Sequence, residues 1–124
     1  MGYREMLPVA CPPDAACDMA VQKAFRLLPS NAPLSSHFDS EAAKGKLMPP
    51  SLNDPCRWAS CSLFCDMETI NKKRKLKNFR QYTHVACLNI VAGSGMLLRI
   101  GHHIDFWMYD TFDPIKAIVH VRNL

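Results

Sequence analysis

Glycine is scarce in this 124-residue chain, which has only five, and no apolar run reaches the length of a membrane span. So few glycines exclude a flexible glycine–serine linker of any length. The uncharged stretch Val85 to Leu98 covers fourteen residues and is interrupted by Asn89 and by Gly93-Ser94-Gly95. A spanning helix needs about 20 apolar residues, so a membrane span is disfavoured and buried strands account for the run better. A secretory leader is lacking as well, because Arg4, Glu5 and Pro8 break the first ten residues and Pro12-Pro13 follows. Position 6 is Met, where myristoylation of Gly2 would want Ser or Thr. The expectation is a nuclear or cytoplasmic protein that is not secreted, with its six cysteines as free thiols.

Proline is almost absent from the second half. Eight of nine prolines lie at or before Pro55, and only Pro114 lies beyond. Charge is just as uneven. The first 55 residues hold six acids and five bases, Cys56 to Arg80 two acids and seven bases, and the remainder three of each. The formal charge of +4 is thus local to the middle. Six of the fifteen basic residues fall within Asn71 to Arg80: Lys72, Lys73, Arg74, Lys75, Lys77 and Arg80. The apolar fraction of 48% is that of a globular chain and argues against wholesale disorder.

Local pattern predicts an α+β fold with two N-terminal helices and a C-terminal antiparallel β-meander, joined through long irregular segments. Asp14 stands at an N-cap position, and Cys17, Val21, Ala24, Phe25 and Leu28 recur at helical spacing, so residues 14–28 are expected to form an amphipathic helix ended by Pro29. Residues 30–53 have no clear period and read as a linker. Asp54-Pro55 is a good helix start, with a helix expected to about Ile70 and onward into the basic run, whose cations suit a helix C-terminus. Tyr82–Ala92, Met96–Ile100, His103–Tyr109 and Ile115–Val121 are rich in β-branched and aromatic residues and read as strands. Gly93-Ser94-Gly95 is expected to close a hairpin, and Gly101-His102 a second turn. The division predicted is a flexible Pro/Ala-rich arm over 1–53 and a small α+β domain over 54–124.

No motif specifies a reaction, and the expectation is a non-enzymatic protein. Gly93-Ser94-Gly95 lacks the third glycine of a dinucleotide fingerprint, Leu98 standing in its place. Cys87 could be paired with any of five histidines, so no thiol nucleophile is singled out. His103 and Asp105 can share a face of a strand, though a polar turn is the simpler reading of His102-His103 and Asp105. Cys61, Cys65, His84 and Cys87 form C-x3-C-x18-H-x2-C, a soft-donor set that could close a tetrahedral zinc site. Against zinc, residues three apart in a strand point to opposite faces, and free cysteine is commonly buried as a small hydrophobe.

The basic run carries the functional expectation. Clustered cations at Lys72, Lys73, Arg74, Lys75, Lys77 and Arg80 suit a nuclear import receptor or a phosphate backbone. Phe79 and Tyr82, interleaved with them, favour nucleic acid, because bases stack on such rings. A protein partner on an apolar face of the sheet is a further expectation. Two alternatives stand beside this: a small zinc-stabilised binding domain, and a truncated-isoform or chimeric product with no evolved biochemical activity, suggested by the compositional seam at the basic run.

Overall fold

The computed structural model describes residues 2–124. Its centre is a six-stranded antiparallel sheet of strands β1 (Val21–Leu28), β2 (Cys61–Phe64), β3 (His84–Ile90), β4 (Gly95–Ile100), β5 (His103–Met108) and β6 (Ile118–Asn123), in the order β4-β5-β2-β1-β3-β6. Among the described residues there are two short α-helices, α1 (Pro55–Trp58) and α2 (Met67–Lys73), and two 3₁₀ turns at Ser35–Phe38 and Lys77–Phe79.

This corrects the expected two helices followed by a meander. The segment predicted as an amphipathic helix is instead irregular to residue 20 and then forms β1, a central strand paired to both β2 and β3. Ala24 to Leu28 are buried on both faces of the sheet, and a strand apolar on both sides hides its period of two. The stripe at helical spacing was a by-product of that continuous burial. Asp54 does cap a helix, accepting from Arg57 N at 3.1 Å with Pro55 behind it, but that helix ends at Trp58. Strand β2 then occupies the middle of what was expected to be one helix. Because β1 and β2 pair, residues 1–53 and 54–124 contribute to one sheet.

Four strands match the segments expected in the last third, yet they do not form a meander. Only β4 and β5 make a hairpin, through the turn at Gly101-His102. The link at 91–94 instead joins β3 to β4, which lies four places away in the sheet. The sheet accommodates so short a link by rolling. A bulge between Val21 and Ala24 bends β1, and the residues before it cross to the far edge, where Cys17 pairs with Leu97. The rolled interior holds Ala24, Leu28, Cys61, Leu63, Ala86, Leu88, Ile90, Leu97, Ile104, Phe106 and Met108, with Phe38 packed in. On the outer face Phe25, Leu27, Phe64, Val85 and Cys87 are covered by Ile70 of α2.

The uncharged run Val85 to Leu98 forms most of β3 and β4. Among the described residues no helix is long and apolar enough to cross a membrane. Not all cysteines are free thiols: Cys11 and Cys56 form a disulfide, while Cys17, Cys61, Cys65 and Cys87 are free. The bridge ties the N-terminal arm to α1. The arm also hydrogen-bonds at the C-terminal end of β5 and beyond it, from Arg4 N to Met108 O and from Asp110 N to Gly2 O.

Candidate functional site

The basic run folds as the end of α2, a turn and a 3₁₀ turn, packed beside the outer face of the sheet. Asp66 caps α2 by accepting from Thr69 N at 2.7 Å, and Ile70 is its buried anchor. Lys72 and Lys73 lie in its last turn, where the helix dipole favours cations. Leu76 is extended, and Lys77–Phe79 follow as the 3₁₀ turn. Of the six cations only Lys72 makes an ion pair among the described residues, with Glu68 at 3.4 Å. Both partners are exposed, so that pair contributes little.

These cations divide among three surfaces. Lys73 faces a cleft of about 570 Å³ that also holds Arg26, Leu27, Glu41, Lys46, Trp58, Ser62, Phe64, Phe79, Tyr82 and His103. Lys72, Arg74 and Lys75 border a shallow depression next to it, and Arg74 and Arg80 border another near Tyr82 and Leu124. Lys77 is exposed at the start of the 3₁₀ turn. Inside the cleft the Lys73 ammonium stands 6.0 Å from the centroid of the Phe79 ring, and that ring lies 6.1 Å from Tyr82. An ammonium over an aromatic face is attracted to the ring.

The opposite wall comes from elements that the sequence did not mark. Trp58 is held by its indole N–H, which donates to Lys46 O at 2.9 Å. Lys46 is paired with Glu41 at 2.9 Å, which holds the ammonium above its usual range. Arg26 is buried, yet its guanidinium has no carboxylate partner among the described residues. It donates instead to His37 O, Ser62 O and Asp39 O at 2.9–3.2 Å. Its charge is thus positioned without being neutralised. Sequence reasoning placed Arg26 on a helix and therefore missed it.

The floor of the cleft is a cross-strand set on β2 and β5. Phe64 pairs with His103 and Ser62 with Asp105. The His103 ring meets Phe64 edge-on at 5.6 Å between centroids. Asp105 is only 1% exposed. Its Oδ1 accepts from His103 Nε2 at 2.9 Å and from Ser60 Oγ at 3.3 Å, and its Oδ2 accepts from Arg57 Nε at 2.9 Å. Burial pushes the carboxyl upward, but the His103 hydrogen bond and the charges of His103 and Arg57 outweigh it and hold the group below the usual carboxylate range. The polar-turn reading of this pair gives way to a fixed ion network within a strand. Its only sequence signal was the i, i+2 spacing of His103 and Asp105, which puts both on one face.

The four expected zinc donors are not gathered. Cys61 lies in the rolled interior and Cys87 in the outer cluster, with the sheet between them. Cys65 packs against the interior, and the His84 ring lies 2.7 Å from Thr83 Oγ1 at the start of β3. Burial pushes the Cys61 and Cys65 thiols up, which favours the neutral thiol over the ligating thiolate. Among the described residues no group of three or more His, Cys, Asp or Glu side chains is placed to hold a metal ion.

The Cys11–Cys56 bridge bears on this site because α1 carries Cys56, Arg57 and Trp58 in succession. Trp107 adds a second tie, its indole N–H donating to Cys56 O at 3.0 Å. Comparison of the chain with protein-family models, with curated proteins and with solved structures finds no match.

Proposed function

We propose that the chain is a small interaction protein that binds single-stranded nucleic acid in the cleft between the outer face of the sheet and the basic segment. The observation that supports this most is the sharing of one cleft by Arg26, Lys46 and Lys73 with Trp58, Phe64, Phe79 and Tyr82. Stacking of bases on such rings contributes about 1–3 kcal/mol per base, with little dependence on sequence. Phosphates displace counterions as they meet the cations, which makes binding salt-dependent. The volume is that of a site for one or two stacked bases rather than for a duplex. Lys72, Arg74, Lys75, Lys77 and Arg80 extend the positive surface outward from the cleft as backbone contacts.

The test is a titration of a fluorescent oligothymidine into the chain and into a variant with all six cations replaced by glutamine. The expected result is a loss of affinity in the variant together with a shallower dependence on salt, by about 0.7 per phosphate contact removed. Equal affinity and equal salt dependence in the two proteins would overturn the proposal.

A further inference from the structure

The cleft contains one arrangement that binding alone does not require. His103 and Asp105 stand two apart on β5, with His103 Nε2 and Asp105 Oδ1 2.9 Å apart. The other carboxylate oxygen is engaged by Arg57 Nε at 2.9 Å, and Ser60 Oγ reaches Oδ1 at 3.3 Å. An ionised carboxylate only accepts hydrogen bonds, so Nε2 must carry the hydrogen. Nδ1 is then the basic nitrogen of the ring, and it makes no hydrogen bond among the described residues. The ring borders the cleft and is braced by Phe64. A carboxylate that fixes the tautomer and orientation of an imidazole, whose other nitrogen stays open, is the arrangement of a general base.

We infer that the cleft cleaves single-stranded RNA as well as binding it, with His103 as the general base and Asp105 as the residue that positions it. This rests on the nucleic-acid reading above. The step needs a hydroxyl beside a phosphodiester, which RNA supplies and DNA lacks. His103 Nδ1 takes the proton of a ribose 2′-hydroxyl, and the 2′-oxygen forms a bond to the adjacent phosphorus. The bond from phosphorus to the 5′-oxygen breaks, and the departing oxygen takes a proton from water. The imidazolium returns its proton to the hydroxide left behind. The products are a 2′,3′-cyclic phosphate and a 5′-hydroxyl, and nothing is oxidised or reduced. Charge building on the phosphate oxygens falls in a cleft lined by three cations, Arg26, Lys46 and Lys73, and one carboxylate, Glu41, so the field there favours it.

The experiment incubates the full chain with a 5′-labelled oligouridine and, in parallel, with the same oligomer fully 2′-O-methylated. Both are expected to bind. Only oligouridine is cut, and mass spectrometry finds the cyclic phosphate. In His103→Gln the cleavage rate falls by about a hundred-fold or more. Asp105→Asn slows cleavage by lowering kcat more than it changes KM, because the imidazole loses the carboxylate that orients it. A purely structural role would lower the amount of active protein and leave kcat per folded molecule unchanged. If the chain binds oligouridine and leaves it intact, or if His103→Gln cuts at the parent rate, the inference falls and the binding proposal stands. Cleavage of the 2′-O-methylated oligomer overturns it as well, with no dependence on any variant. If neither oligomer binds, both fall.

Discussion

The interior and the exterior of the rolled sheet are built from the same strands and filled on different terms. Alternate residues of β2 and β5 show it: Cys61, Leu63, Ile104, Phe106 and Met108 point inward to an apolar core, whereas Ser62, Phe64, His103 and Asp105 point outward to a cleft and an ion network. The interior side chains meet one another, so their burial is worth about 25 cal/mol per Å² removed from water and little else is asked of them. On the outside, Asp105 is buried only because Arg57, Ser60 and His103 satisfy it. Among the described residues no buried side-chain nitrogen or oxygen lacks a partner. The interior is thus a means of holding the sheet, and the exterior is where charge, aromatic surface and open space coincide.

The sharpest way to separate the two is to truncate inside. Leu63 is fully buried, and Leu63→Ala should lower the unfolding free energy by about 2–5 kcal/mol, with affinity for oligothymidine unchanged in the folded fraction. Urea denaturation and a binding titration on one preparation check both. Replacing Cys11 and Cys56 together by serine frees the arm from α1 and should lose about 2–4 kcal/mol. Faster amide exchange in residues 56–58 than in β3 would place that loss on the outer side.

Asp105→Asn should destabilise by about 1.5–3 kcal/mol at neutral pH, since the hydrogen bond from the Arg57 guanidinium and the one from the His103 ring are weakened. A carboxyl held below its usual range stabilises the fold above the unfolded-state value near 3.9 and loses that contribution as pH falls through the folded value. The gap between parent and variant should therefore persist at pH 6 and close in the acid range below about pH 4, as read from thermal midpoints. Phe79→Ala should leave stability nearly unchanged, because the side chain sits at the rim of the outer cluster, while weakening oligothymidine binding by about 1–3 kcal/mol. A Phe79→Ala protein that binds normally would remove the aromatic wall from the account.

What could be read from sequence follows the same inside–outside division. The strands of the last third were legible because His103 to Met108 and its neighbours carry β-branched and aromatic residues between clear turns. Their order was not, because pairing β1 with β3 and sending residues 91–94 across to the far edge depends on contacts distant in sequence. β1 itself was misread because it is buried on both faces. The cation cluster was plain in composition, and so was its mix with Phe79 and Tyr82. Arg26, Lys46 and Trp58, which complete the cleft, lie up to 56 residues from Tyr82 and carry no local signal. The four expected zinc donors are not gathered, since Cys61 and Cys87 lie in clusters on opposite faces of the sheet.

The most direct test of the division is amide chemical-shift mapping of the isotope-labelled chain with oligothymidine, which lacks the hydroxyl needed for cleavage. The account predicts that shifts gather at Arg26, Leu27, Trp58, Ser62, Phe64, His103 and residues 73–82, and that Leu88, Leu97 and Phe106 stay in place. Shifts centred on β6 or on the 109–117 connection, or none at saturating oligomer, would contradict it.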